Sequence, residues 1–208
     1  MANGQVYINK TASNSTLTDA TTNGYKGIYN LANNPAHFEI QRNNNFEFYI
    51  EGLAKEMGYS NVEGMNEDII RVSVSKAFVP HFTQGVIEVK RGNSTMKFAG
   101  APTFSNGQLD LNDYIGAGTK EVLMAWQRCS YDVQTEKVGL AADYKRTGYL
   151  LEYTPDYQLV RQWQLDGCWI SGLSESEFSH DSAEKHTIQC TIEYDRAFIM
   201  APATDAAQ

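Results

Sequence analysis

Between Thr187 and Asp195 the chain alternates cleanly. Ile188, Cys190, Ile192 and Tyr194 fall on one side, and Thr187, Gln189, Thr191, Glu193 and Asp195 on the other. A period of two predicts a strand in a sheet with one packed face and one polar face. Upstream, Gly148–Tyr153 is a short β-rich run that Thr154-Pro155-Asp156 punctuates. Leu159–Leu165 then sets Leu159, Trp163 and Leu165 on one face, with Arg161 as the exception. The stretch from Gly148 to Ala197 therefore reads as paired strands with no catalytic residue among them. A polar sheet face in a small protein meets water or another copy of the chain. The pattern points to assembly rather than catalysis.

The first half of the chain is read by the same periods. Phe46–Ile50 is an aromatic run that predicts the first strand of the globular part. Gly52–Asp68 has no firm period and reads as a long loop. Ile69–Val79 alternates Ile70, Val72 and Val74 against Arg71, Ser73 and Ser75, which predicts a strand that Pro80 ends, because proline cannot donate to a ladder. Val86–Arg91 follows, then a turn at Gly92-Asn93, then Met96-Lys97-Phe98 before Gly100. The runs on either side of Pro80 read as two strands joined by a short loop. One segment has helical spacing: Ile115, Val122, Leu123, Trp126 and Cys129, with Asn112 and Asp113 offering caps. Gly116 and Gly118 weaken its first turn, so the firm part starts at about Thr119. Tyr131–Arg146 reads as a polar connection with an apolar centre at Val138, Leu140 and Ala141. The expected class is mainly β, a β-sandwich or half-barrel of two packed antiparallel sheets with one flanking α-helix.

Three regions differ in composition. Residues 1–37 are rich in Asn, Thr, Ser and Ala, with only Lys10, Asp19 and Lys26 charged. They are either a flexible tail or an extended arm that orders against a neighbouring subunit, with Tyr25, Ile28 and Tyr29 among the side chains it could bury. Residues 38–200 form the β domain, and 201–208 a flexible C-terminal tail.

Charge narrows the function classes. Seventeen Lys and Arg against 25 Asp and Glu give a net charge of −8, which argues against tight nucleic-acid binding. The three cysteines, Cys129, Cys168 and Cys190, show no metal-type spacing and read as small buried hydrophobes in a reducing cytoplasm. No hydrophobic run approaches the roughly 20 residues of a membrane span, and the N-terminus lacks the zones of a signal peptide.

Candidate chemistry is sparse. His180, Asp181, Glu184 and His186 are close in sequence, but their spacing matches no strong metal pattern. Asp110, Asp113 and Glu121 lie at a predicted helix start, where the dipole favours acids without any catalytic role. Trp126 and Trp163 are expected in the core rather than under a sugar; Trp169, beside Gly167 and Cys168, is expected to shape a turn or a subunit contact. There is no Gly-rich phosphate loop, nucleophile elbow or zinc motif. No catalytic residue, metal or cofactor is assigned.

The order of these landmarks is that of a known family. Pro80 after a strand, Val89-Lys90-Arg91-Gly92, Lys97-Phe98-Ala99-Gly100, the helix carrying Trp126, and Val160–Leu173 with its Gly167-Cys168-Trp169 turn together resemble phage contractile-tail tube proteins. The resemblance covers Phe46 to Ala197 and departs from the family in two places. Ile170 stands where relatives have a proline, and residues 1–37 have no clear counterpart. It implies a structural virion protein of the phage tail, assembled in the host cytoplasm as stacked hexameric rings. Two hairpins per subunit would complete an inter-subunit β-barrel, through which double-stranded DNA passes without specific binding. Tail sheath, tape-measure, baseplate and tail-terminator proteins are the implied partners. The polar residues Ser73, Ser75, Glu88, Lys90, Glu152, Gln162 and Gln164 are then expected to face the lumen. Glu51, Glu56, Glu63, Glu67 and Asp68, with Tyr25, Ile28, Tyr29 and Trp169, are expected at contacts between rings or subunits. Alternatives are the inner tube of a phage-derived bacteriocin or of a type VI secretion-like injection system, and, from another class, a soluble lectin-like β-sandwich.

Overall fold

The computed structural model describes residues 40–53, 57, 68–114, 118–181 and 183–200. The N-terminal arm, most of the acidic loop and the C-terminal tail lie outside the described residues. The elements are β1 (Phe46–Ile50), α1 (Asp68–Ser73), β2 (Val74–Lys76), β3 (Phe82–Arg91), β4 (Ser94–Phe104), β5 (Gly107–Asn112), α2 (Thr119–Ser130), β6 (Tyr131–Asp132), β7 (Lys137–Val138), α3 (Ala141–Tyr144), β8 (Arg146–Tyr153), β9 (Leu159–Glu175), β10 (Thr187–Glu193) and β11 (Arg196–Ile199). The class is mainly β. Seven strands make one sheet in the order β1-β8-β9-β10-β5-β2, with β11 also on β9; β3–β4 and β6–β7 are separate two-stranded ladders.

The chain divides into two compact units. In the smaller, residues 40–45 and 152–161 are described. Gln41 Nε2 donates to the Tyr153 carbonyl at 2.9 Å, and Tyr153 N to the Asn45 carbonyl at 2.9 Å. Arg161 holds Glu152 through Nε and Nη2 at 2.9 and 2.7 Å. The larger unit, residues 46–151 and 162–200, holds the core.

Strand β10 has the predicted alternation, with Ile188, Cys190 and Ile192 fully buried. It pairs antiparallel with β5 on one edge, setting Cys190 opposite Leu109 and Ile188 opposite Leu111. On the other edge it pairs antiparallel with β9. Val122, Leu123 and Trp126 of α2 are buried in the same core cluster, and Trp126 Nε1 donates to the Tyr144 carbonyl at 2.7 Å. Cys168 and Cys190 are buried here too, and burial pushes both thiols up to about 12.

Four expectations need correction. Residues 68–73 are helical, not extended: Ile69, Ile70 and Ser73 are all buried, a three-and-four spacing that a strand cannot place on one side, while Val72 is 67% exposed. The two strands flanking Pro80 do not pair. β2 pairs with β5 and β3 with β4, so the hairpin turns at Gly92-Asn93. Asn112 and Asp113 do not cap α2. Asn112 ends β5, and the N-cap is Gly118 in the left-handed region at φ 69°. Val138 and Leu140 are no apolar centre, being 77% and 72% exposed.

The strand β9 is longer than its sequence period suggests because it carries a bulge. Leu165 is buried, but the next buried residue is Cys168, a break in alternation at Gly167, where φ is +71°. Up to Asp166 the strand pairs with β11; from Trp169 it pairs with β10. A side chain at position 167 would be strained and would also collide with the Asp195 carboxylate. Charges pin the corner: Lys145 Nζ lies 2.7 Å from Asp195, and Arg196 Nε 2.7 Å from Asp166.

Leu111→Ala removes a fully buried side chain from the β5–β10 ladder. The expected loss is about 3 kcal/mol of unfolding free energy, measured by urea denaturation. A loss under about 1 kcal/mol would show that this face of β5 is not core.

Candidate functional site

The most exposed ladder among the described residues is the β3–β4 hairpin. Every residue of β3 is exposed, as is every residue of β4 except Gly100 and Phe104. The register sets Glu88 opposite Lys97 and Lys90 opposite Thr95, and sets Ile87 opposite Phe98 and Val89 opposite Met96. Directly opposed residues share a face, and neighbours along a strand alternate. One face is therefore polar, with Glu88, Lys90, Thr95 and Lys97. The other is apolar, with Ile87, Val89, Met96 and Phe98, which stay 43–55% exposed. Lys97 Nζ lies 3.6 Å from Glu88 Oε1 across the ladder. A two-stranded hairpin alone is marginal in water, and needs a further strand or a packed surface to be stable.

Among the described residues the hairpin is anchored at its root. A run of aromatic rings links it to the core: Phe82–Phe104 at 5.5 Å between centroids, Phe104–Tyr194 at 5.9 Å, Tyr194–Phe78 at 5.7 Å and Phe78–Phe48 at 5.9 Å. Tyr194 Oη also donates to the His81 carbonyl at 3.4 Å. Above the root the register shifts between Gln84 and Val86. Here Gly100 faces Gly85 so closely that a Cβ on Gly100 would stand 2.9 Å from the Gly85 carbonyl oxygen. This glycine bulge separates the anchored root from the projecting arm.

The residues expected at the lumen are scattered. Glu88 and Lys90 lie together on the polar arm face. Ser73 is withdrawn: it is fully buried, and its Oγ is 2.8 Å from Thr119 Oγ1, joining α1 to α2. Ser75 is exposed but donates its hydroxyl to the Asp110 carbonyl at 2.9 Å. Gln164 donates to Asp166 at 2.8 Å, and Gln162 is half-buried, its carbonyl accepting from Met200 N at 2.8 Å. Glu152, in the smaller unit, is engaged by Arg161 as described. Thr95 and the apolar arm face were missed. The signal was present in the alternation of Val86–Arg91 against Thr95–Phe98.

The residues expected at contacts are less fully placed. Tyr25, Ile28, Tyr29, Glu56, Glu63 and Glu67 lie outside the described residues, and Asp68 begins α1. Glu51 is exposed and accepts from Tyr149 Oη at 3.3 Å, beside a Tyr49–Tyr149 stack that Arg71 covers at 4.4 Å. Trp169 is half-buried, edge-on to Tyr144 at 5.9 Å.

The histidine pair resolves into one engaged residue. His186 stacks on Phe178 at 4.5 Å, its Nδ1 meets Ser176 Oγ at 2.9 Å, and its Nε2 lies 3.4 Å from Glu175. Among the described residues no group of His, Cys, Asp and Glu is arranged to hold a metal ion. Asp110, Asp113 and Glu121 line no cleft together: Asp110 is within β5 and Glu121 on the exposed side of α2. Among the described residues no helix is long and apolar enough to cross a membrane.

A chain of the extended sheath–tube complex of an extracellular contractile injection system, PVC, superposes with a TM-score of 0.57 at 14% identity, over 80% of this chain and 95% of that one. A chain of the PVC sheath/tube terminator gives 0.57 at 16%, over 78% and 98%. A chain of the anti-feeding prophage tube-terminating cap gives 0.56 at 15%, over 78% and 92%. The chain has the tail-tube fold of contractile injection machines. No protein-family model and no curated protein sequence matches it.

Glu175 sits between Lys120, at 2.6 Å, and His186. The hydrogen bond from Lys120 holds the Glu175 carboxyl below its ordinary value and raises the Lys120 ammonium. A carboxyl lowered on folding stabilises above its unfolded pKa and loses that contribution as pH falls through its folded pKa. A raised ammonium stabilises below its unfolded pKa and loses that contribution as pH rises through its folded pKa. Glu175→Gln should therefore lower the melting temperature slightly at neutral pH and not in acid below the folded pKa of Glu175. Equal losses at both ends of a melting series would remove the pair from the account.

Proposed function

We propose that this chain is the tube subunit of a contractile injection machine, polymerising as stacked rings into a hollow cylinder. The observation that carries the reading is the amphipathic β3–β4 arm, whose apolar face is uncovered in the subunit. Joining arms between copies covers that face and pairs strand edges that would otherwise invite uncontrolled association. Such contacts use two different patches of one chain, so they propagate rather than stop at a dimer.

In that arrangement the polar arm face, Glu88, Lys90, Thr95 and Lys97, lines the lumen. It carries one acid and two bases, which gives a wetted wall with only a mild positive bias. The acidic loop around Glu56, Glu63 and Glu67 and the arm before His37 are assigned to contacts between rings, which should weaken with salt. Sheath, baseplate and terminator proteins are the expected partners, as the sheath–tube and terminator complexes of the matched chains suggest. Those machines are extracellular injection systems, which favours an injected cargo over the genome of a phage tail. A phage tail would add a tape-measure protein and carry DNA through the same lumen. Neighbouring capsid genes would mark that case.

Negative-stain microscopy of the purified full chain tests the reading. Rings or tubes are expected; a stable monomer that binds glycans would instead establish a lectin-like module. Phe98→Glu should abolish tubes while leaving the melting temperature of the monomer nearly unchanged, because Phe98 is half exposed and outside the core. Unchanged polymerisation of Phe98→Glu would remove the arm from the interface.

A further inference from the structure

At the root of the hairpin is a cleft of about 270 Å³, lined by Pro80, His81, Phe82, Phe104, Trp163 and Ala197. Its lining is apolar except for His81. At about 270 Å³ it falls just below the roughly 300–1,000 Å³ of small-molecule sites and suits one or two protruding side chains. We propose that it is the seat for the apolar arm face of a second copy of this chain, with one or two of Ile87, Val89, Met96 and Phe98 entering it. The proposal rests on the tube reading and names the counter-surface that reading needs.

Three observations select a second copy as the occupant. The arm's own apolar residues do not fill the cleft. They continue the ladder past the bulge at Gly85 and remain exposed, while only Phe82 and Phe104 of the hairpin enter the lining. The net charges favour encounter of two copies: the hairpin carries Lys90, Arg91 and Lys97 against Glu88 alone, on a chain whose net charge is −8, so a cationic arm is attracted at long range to another acidic copy. The cleft is also continuous with the arm, because Phe82 and Phe104 belong to both. A neighbour seated there would complete the aromatic run from Phe48 outward and bear on the root from which its host's arm projects. Each copy then gives an arm and receives one, a head-to-tail contact that closes into a ring if the rotation allows.

Cysteine cross-linking tests the contact in the full-length chain. In a Cys129→Ser background, Ala197→Cys is combined in turn with Ile87→Cys, Val89→Cys, Met96→Cys and Phe98→Cys. Glu88→Cys with Ala197→Cys serves as the polar-face control. Under mild oxidation, at least one apolar-face pair should give a non-reducing ladder from dimer upward. The control should give at least tenfold less, and each single cysteine none beyond dimer. Microscopy of the same samples separates the two ideas. Tubes without a ladder from any apolar-face pair overturn the cleft contact and leave the tube reading standing. A ladder from the control equal to that of the apolar pairs also overturns it. If the unsubstituted chain forms neither rings nor tubes, both fall. As a second measure that leaves the arm intact, Ala197→Met should fill the cleft and raise the concentration needed for tubes at least tenfold. Normal polymerisation of that variant, with its fold retained, overturns the proposal.

Discussion

Burial of one face of β10 governs the positions of its neighbours. Ile188, Cys190 and Ile192 have no solvent exposure, so a slip of one residue would turn all three to water and drive Gln189 and Thr191 into the core. That penalty fixes the register of β5, whose Leu109 and Leu111 lie opposite Cys190 and Ile188. It also fixes β9, which can meet β10 only after the bulge at Gly167 shifts its alternation. Immediately beyond β10, Tyr194 packs against Phe78 and Phe104 and bonds to His81. The strand that organises the sheet thus delivers the ring that roots the hairpin.

The arm above that root obeys a different rule. Among the described residues its strands pair only with each other, and its apolar side chains lie outside the core cluster. Core and arm are distinct in burial: the core side chains are covered by the chain itself, while the apolar arm face is half exposed. On the tube reading the arm is formed before polymerisation and is covered only when a neighbouring copy arrives. The glycine bulge separates the arm from the aromatic anchor.

Much of this was legible in the sequence. Phe46–Ile50 is an aromatic run, the segment from Thr119 has roughly helical spacing and Thr187–Glu193 alternates cleanly; the structure has β1, α2 and β10 there. The failures have physical causes. Ile69–Val79 mixes a short helix with a short strand, and an alternating pattern over six residues cannot separate them when Ile69 and Ile70 are both buried. β5 was hidden because Asn112 and Asp113 look like helix caps, although Leu109 and Leu111 alternate correctly. The bulge in β9 depends on Gly167 adopting a positive φ against Asp195, a tertiary requirement that no local pattern announces. The site was half legible: Glu88 and Lys90 were placed on a polar face by alternation alone. Ser73 obeyed the same arithmetic but sits on a helix, and the partner that explains it, Thr119, is 46 residues away.

The buried thiols carry a further consequence. With Cys168 and Cys190 titrating at about 12, essentially no thiolate is present at neutral pH, and thiolate is the form that exchanges with disulfides or is oxidised. Those two core sulfurs are therefore shielded from disulfide exchange, unlike Cys129, which is only half-buried. On the tube reading, the packed core of each copy would keep the same covalent structure in a reducing interior as in an oxidising exterior.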